Sequence, residues 1–306
     1  MEISVIMSTY KESIELLKKS IESILNQTYK DFEFIIILDD PTNNEHIECI
    51  EKYAQNDKRI RFFINKKNIG LTNSLNKALT LAEGKYICRM DADDISSLNR
   101  IAIQLEYINN NGYDLIGGLS HMIDEDGKII YSIKKVPTDL KKIKKCIRYN
   151  QVISHPTWFG KKEVFDYLNG YRSIPLCEDY DFTLRAILAG FKVSNINEVV
   201  LKYRMTSSSI SRSNLFEQYL YGCYITSQYK KNKIANIGQA NKYVREHNCE
   251  KNSKKYLKAN QRFNAALNDI EEKKYLKFIK DGTMLVFTSK FYLNKIYRFI
   301  MVTLYS

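Results

Sequence analysis

The sequence predicts an α/β protein, a mixed sheet flanked by helices, followed by a C-terminal α-helical region. Three observations carry that expectation. Short β-branched runs alternate with amphipathic segments through the first third of the chain. Those runs are apolar nearly throughout, as strands covered on both faces are. Beyond the serine-rich stretch near residue 210, the chain turns to long segments rich in Lys, Tyr and Asn.

Each element has its own signal. Ile3–Met7 reads as the first strand. Ile14–Gln27 reads as a helix, with Leu16, Leu17, Ile21, Ile24 and Leu25 at helical spacing. Phe32–Leu38 is broken only by Glu33, the pattern of a strand inside a parallel sheet. Asn44–Asn56 follows as a helix, Arg61–Ile64 as a strand, Leu71–Ala82 as a helix and Lys85–Met90 as a strand. Leu98–Asn110 is helical, and Asp114–Leu119 is a further strand. Asp124-Glu125-Asp126-Gly127 is turn chemistry and predicts a hairpin. Leu140–Tyr149 is a basic helix; Glu178–Ala189 is another helix, closed by Gly190. Val193 and Val199–Tyr203 read as edge strands. Ser207–Ser213 reads as a linker between a domain over residues 1–212 and a basic helical region over 213–306.

Composition narrows the function classes. A chain of 306 residues with 44% hydrophobic and 27% charged residues is neither disordered nor fibrous. Only 12 residues are Gly, and neither a Walker loop nor a GxGxxG spacing occurs. Bound phosphate must therefore be neutralised by something other than a glycine-rich cradle. The net charge is +12, and it is unevenly spread. Residues 214–306 hold 17 basic and 7 acidic side chains, against 30 and 28 before them. The asymmetry fits an acidic surface partner for the tail, or simply a solvated lysine-rich face. The six cysteines show no CxxC pair and no zinc spacing, the pattern of reduced cytosolic thiols. No signal peptide is visible, and no stretch reaches the length of a membrane span.

Three predicted strands end in polar residues: Ser8-Thr9-Tyr10, Asp39-Asp40 and Asp91-Ala92-Asp93-Asp94. In open α/β sheets, ligands bind outside the carboxyl ends of the strands. The carboxylates of Asp91, Asp93 and Asp94 repel each other unless solvated or bridged by a cation. Mg²⁺ or Mn²⁺ suits such ligands and neutralises a diphosphate leaving group. Acids and a cap for the helix at Leu98 fit the same residues equally well.

The stretch Arg89-Met90-Asp91-Ala92-Asp93-Asp94-Ile95-Ser96, with Arg100 and Gln104 after it, resembles the DXD region of family 2 glycosyltransferases with the GT-A fold. Other segments resemble that family in order: Ser4–Tyr10, Ser20–Asp31, Asn68-Ile69-Gly70 with Leu75-Asn76, Gly170-Tyr171-Arg172, Glu178-Asp179-Tyr180-Asp181-Phe182 with Arg185, and Tyr203-Arg204. The resemblance covers about residues 2–212. It implies a Rossmann-like GT-A sheet and an inverting, metal-dependent sugar transfer from a nucleoside diphosphate sugar, with UDP the expected nucleotide. Thr9, Tyr10, Glu12, Asp39, Asp40, Asn68, Gly70, Asn76, Asp91 and Ala92 would hold the nucleotide-sugar. Asp93, with Asp91, would hold Mn²⁺ or Mg²⁺. Asp179 would be the catalytic base; Glu178, Asp181, His155, Trp158 and Arg185 would support the acceptor side, with Trp158 offering a face to a sugar ring. Spacing alone does not separate Asp179 from Glu178.

Two positions depart from the family pattern: Thr206 stands where many members carry His, and Leu75 where many carry Arg. The acceptor implied is a surface glycan of capsule or lipopolysaccharide type, free or lipid-linked. The implied location is the cytoplasm, at the inner face of the inner membrane. The tail is a candidate for peripheral membrane contact or a homodimer contact. On a helical wheel, the charges at Lys290, Lys295 and Arg298 do not gather on one face. A nucleotidyltransferase would use the same acidic sheet edge. A basic nucleic-acid-binding protein is disfavoured by the near neutrality of the motif-bearing part, and no nucleic acid is expected as partner.

Overall fold

The computed structural model describes residues 1–206, 214–271, 285 and 288–306. The chain divides into two compact units. The first takes Met1–Lys144, Gln151–Ser173 and Glu178–Ser207; the second takes Lys145–Asn150, Ile174–Cys177 and Ser208–Ser306. The predicted linker at 207–213 lies outside the described residues.

The first unit begins with β1 (Ile3–Thr9), α1 (Ile14–Leu25), β2 (Phe32–Leu38), α2 (Asn44–Asn56), β3 (Ile60–Ile64), α3 (Leu71–Leu81) and β4 (Tyr86–Asp91). It continues through β5 (Ile95–Ser96), α4 (Arg100–Asn111), β6 (Leu115–Ile123), β7 (Ile129–Ser132), the first five residues of α5 (Leu140–Cys146), β8 (Phe159–Lys161), α6 (Lys162–Tyr167), α7 (Glu178–Leu188) and β9 (Val193–Arg204). One nine-stranded sheet runs in the order β3-β2-β1-β4-β8-β6-β9-β5, with β7 paired to β6. β1 to β4 are mutually parallel, and β8 is antiparallel to both β4 and β6. The sheet is therefore mixed. β1 and β2 are buried at every residue, which explains their lack of alternation. Ile3, Val5, Met7, Cys88 and Met90 pack on α1 and α4 through Leu17, Ile21, Ile24, Ile101 and Leu105.

The lone Glu33 of β2 has a structural use. Its Oε1 accepts from Ser4 Oγ at 2.6 Å and from the Glu83 N–H at 2.7 Å, and Arg61 pairs with Oε2. Burial raises its pKa, but these partners outweigh burial and hold it below the usual range. Ser4 Oγ also accepts from the Gly84 N–H at 2.8 Å. This network ties together the starts of β1, β2 and β4.

The hairpin forms as expected. Asp124 Oδ1 accepts from the N–H groups of Asp126 and Lys128, and Gly127 takes φ +90°. Gly190, at φ +95°, follows α7. Val193–Arg204 is not a pair of edge strands. It is one twelve-residue strand lying between β6 and β5. Register shifts against β6 between Gly117 and Ser120 make its pattern look broken. Leu140–Tyr149 is helical only to Cys146.

The second unit is helical: α8 (Leu215–Tyr229), α9 (Ile237–His247), α10 (Glu250–Glu271) and α11 (Lys290–Tyr305). Its core gathers Phe216, Tyr256 and Tyr292, with ring centroids 4.9 Å apart for Phe216–Tyr256 and 5.2 Å for Tyr256–Tyr292. Among the described residues, no helix is long and apolar enough to cross a membrane.

A Cβ on Gly84 would lie 2.5 Å from the Ser4 nitrogen and 2.6 Å from the Ile3 carbonyl carbon. Gly84→Ala is therefore expected to lower stability by about 1–3 kcal/mol, read by urea denaturation. An unchanged midpoint would show that the network has slack.

Candidate active site

Parallel register delivers the site. Thr9 lies beside Leu38, and Ser8 lies beside Asp91, so the ends of β1, β2 and β4 share one sheet edge. Thr9 is buried, and its Oγ1 donates to Glu12 Oε2 at 2.7 Å. The N–H of the partly exposed Tyr10 donates to the same oxygen at 2.8 Å. His46 Nε2 lies 2.8 Å from the Glu12 carbonyl oxygen and braces this loop.

Asp39 is buried and accepts from Asn65 Nδ2 at 2.7 Å, the Ile69 N–H at 2.9 Å and the Gly70 N–H at 2.8 Å. Three donors take most of its acceptor capacity, so Asp39 shapes the 65–70 loop before any ligand arrives. Gly70 serves there with φ +82°, and Asn68 is exposed in the same loop. Asp40 accepts from the Thr42 hydroxyl at 2.7 Å and the Thr42 N–H at 3.0 Å, which hold its pKa below the usual range. Asn76 is placed elsewhere. Its side-chain amide bonds the Tyr171 N–H and C=O, both at 2.8 Å, and so straps the 170–171 turn.

Asp91, Asp93 and Asp94 bring carboxylate oxygens within 4.8 Å of one another, while Ala92 is buried in the core between them. Asp94 Oδ1 accepts from the Arg204 N–H at 2.8 Å; its buried Oδ2 has no hydrogen-bond partner among the described residues. Burial, then the charges of Asp91 and Glu12, push the Asp93 pKa up to about 7. An orphaned buried carboxylate oxygen among crowded carboxylates is what a divalent cation relieves, so these residues fit Mg²⁺ or Mn²⁺. Arg204 pins the loop: Nε donates to the Asp93 C=O, and Nη1 donates to the C=O groups of Asp124 and Glu125, all at 2.8 Å.

The sequence reading did not single out Arg89, which the structure puts at the centre. It is 3% exposed, shares a face of β4 with Asp91 and pairs with that carboxylate. Its Nε and Nη1 have no hydrogen-bond partner among the described residues. Its charge also lowers the pKa of Asp93, Asp94, Glu178 and Asp179, against the larger raising effect of burial. Both acidic clusters thus feel the charge of one buried cation. The available signal was a single Arg inside the otherwise apolar run Tyr86-Ile87-Cys88-Arg89-Met90.

Glu178 and Asp179 open α7, where the helix dipole favours acids. Burial and the charge of Asp179 push the Glu178 pKa up to about 7, and burial raises Asp179 as well. Gln151 Nε2 lies 3.4 Å from Asp179 Oδ2. Asp181 and Arg185 do not join this pair. Asp181 is clamped by Arg172 Nε at 2.9 Å and Arg185 Nε at 2.8 Å. Arg185 also donates to the C=O groups of Leu168 and Gly170, both at 2.8 Å, so it locks α7 to the 168–172 segment. Trp158 is fully buried, with Nε1 donating to the Ile153 C=O at 3.1 Å, and it stacks on Tyr171 at 6.1 Å. It has no free face for a sugar ring. His155 Nε2 lies 2.8 Å from the Tyr171 hydroxyl, and burial, then the Arg89 charge, hold its pKa well below the ordinary value.

A mixed sheet whose carboxyl end gathers an acidic triad and an acidic helix start is the arrangement of the GT-A fold, and comparison with known proteins supplies the activity. The family model for glycosyl transferase family 2 matches residues 4–168. The chain belongs to that family, and it is a glycosyltransferase. It is 40% identical over 232 residues to an uncharacterized glycosyltransferase of Methanocaldococcus jannaschii, covering 76% of this chain and 80% of that one. It is 34% identical over 216 residues to the O-antigen biosynthesis glycosyltransferase WbnJ of Escherichia coli, covering 70% and 83%. Two solved structures share the fold at a TM-score of 0.60 each. S. aureus TarS 1–349 in complex with UDP-GlcNAc is 20% identical, covering 80% of this chain and 71% of that one. The mannosyltransferase PcManGT of Pyrobaculum calidifontis, in complex with GDP-Man and Mn²⁺, is 14% identical, covering 99% and 86%.

The raised carboxyl of Glu178 sets a pH dependence. Its pKa goes from 4.5 to about 7 on folding, so the folded state binds the proton more tightly. That stability is present below about pH 4.5 and is lost as pH rises through about 7. In EDTA, the melting temperature of wild type should fall over this window, and Glu178→Gln should flatten the slope. Parallel curves would remove Glu178 from the account.

Proposed function

We propose an inverting, metal-dependent transfer of a sugar from a nucleoside diphosphate sugar, of the UDP class, to a hydroxyl of a growing bacterial surface glycan. The observation that carries this reading is the cluster of Asp91, Asp93 and Asp94, whose carboxylate oxygens lie within 4.8 Å of one another and include the orphaned Oδ2 of Asp94. Asp91 and Asp93 would hold the cation. When bound, Mn²⁺ or Mg²⁺ supplies Lewis-acid neutralisation of the diphosphate leaving group. Asp39 and Thr9 stand at the edge where a nucleotide base would lie, and the 65–70 loop closes beside them.

Asp179 takes the proton from the acceptor hydroxyl as that oxygen attacks the anomeric carbon from the face opposite the leaving group. The bond to the new oxygen forms as the bond to the diphosphate breaks, through an oxocarbenium-like transition state. A carboxyl raised by burial is a stronger base than an exposed one, which suits this step. The UDP-GlcNAc bound by TarS supports a UDP donor, and the O-antigen biosynthesis named for WbnJ supports a surface-glycan acceptor of lipopolysaccharide type. The Mn²⁺ in the mannosyltransferase structure supports divalent metal use.

Calorimetric titration of UDP, GDP and dTDP, with Mn²⁺ and with EDTA, tests the reading. One nucleotide should bind with Mn²⁺ only, at least about tenfold more weakly in Asp93→Ala and equally well in Asp179→Asn. Asp179→Asn should lower turnover of the matching sugar nucleotide by about 10²–10⁴-fold. Equal nucleotide binding in EDTA would contradict the metal-dependent reading.

A further inference from the structure

The sheet carries an open edge that sugar transfer does not explain. β7 pairs with β6 alone, so among the described residues no strand lies along its other edge. Ile129 is 48%, Ile130 54% and Tyr131 50% exposed. Three exposed apolar residues in succession do not fit a strand with one covered face, whose residues alternate. The register accounts for the run. Met122 pairs with Tyr131 and Ile123 with Ile129, which leaves Ile130 as the extra residue of a bulge. The edge is therefore apolar at its centre, where exposed edges ordinarily carry charge.

Charge stands at both ends of this run, and its sign differs between them. Glu125 and Asp126 are exposed at the hairpin tip, and Lys134 and Lys135 are exposed beyond Ser132. Asp126 and Lys134 each stand four residues from Ile130, and Glu125 and Lys135 each stand five. This order is its own complement when a second copy runs antiparallel across a two-fold axis at Ile130. The tip acids of each copy then come to the lysines of the other, and Ile129 comes to Tyr131 across the axis. Lys128, also exposed, comes to the uncharged Ser132. A parallel arrangement would set acids on acids and lysines on lysines.

We propose that β7 is a self-association surface, through which two copies of this chain pair antiparallel about Ile130. The contact goes beyond the transfer reading and does not depend on it. It adjoins the acidic loop, because Arg204 donates both to the C=O groups of Asp124 and Glu125 at the hairpin tip and to the Asp93 C=O. Burial of the apolar centre supplies the attraction. The charges set the direction, since exposed ion pairs add little attraction of their own. So short a contact is smaller than a standard interface and predicts a dissociation constant of about 1–100 µM.

Sedimentation equilibrium of the full chain across that concentration range tests this. Wild type should pass from monomer to dimer, and Ile130→Glu should raise the dissociation constant at least about tenfold. Asp126→Lys and Lys134→Glu should each raise it at least about fivefold, because each sets like charges together at both ends of the contact. An equimolar mixture of those two variants should return to within about twofold of wild type, since opposite charges then meet at both ends. All three positions are exposed, and unchanged melting temperatures would confirm folding. Folded wild type that stays monomeric throughout overturns the proposal. So does a dimer that Ile130→Glu leaves intact, or a mixture that associates no more tightly than either variant alone.

Discussion

The buried ion pair of Arg89 with Asp91 is the constraint on which the catalytic unit depends. Arg89 pairs with Asp91, and its charge reaches Asp93, Asp94, Glu178 and Asp179. Without it, two acidic clusters sharing one low-dielectric region would repel each other and protonate. One guanidinium cannot neutralise them all. Burial first, and then neighbouring carboxylates, push Asp93 and Glu178 up to about 7, and Asp94 Oδ2 has no hydrogen-bond partner among the described residues. A divalent cation held as proposed above would offset the crowding of the three aspartates.

The rest of the unit holds this arrangement in place. Glu33 and Ser4 fix the start of the parallel strands, and register then carries Thr9, Asp39 and Asp91 to one edge. Arg204 ties the acidic loop to the hairpin at 124–127. Asn76, Asp181 and Arg185 secure the 168–172 segment, on which Tyr171 reaches His155. Several polar residues of the family motifs therefore support the site through bonds to backbone.

Much of this was legible in the sequence, for physical reasons. Long apolar strands and amphipathic helices of the first third announce themselves by period, and polar residues at strand ends announce the ligand edge. The two- and three-residue strands Ile95–Ser96 and Phe159–Lys161 are too short to show any period, and register shifts disguised Val193–Arg204 as two pieces. Residue type did not reveal direction. Trp158 looks like a sugar platform until its burial is known, and Asp181 looks like a third acid until its two arginines are seen. Arg89 was hidden for the opposite reason. It stands in the stretch Arg89–Ser96, but a single cation in an apolar strand shows no role until its burial and its pairing with Asp91 are seen.

The most direct test of the shared-cation account is a carbon-detected NMR titration of the Glu178 and Asp179 side-chain carboxyls in metal-free protein. Wild type and Arg89→Met would be compared, with Arg89→Lys as the charge-conserving control. Glu178 should titrate near 7 in wild type. Both carboxyls should move upward by about one unit or more in Arg89→Met, and by less in Arg89→Lys. Identical titrations in folded wild type and Arg89→Met would show that the two clusters do not share this cation.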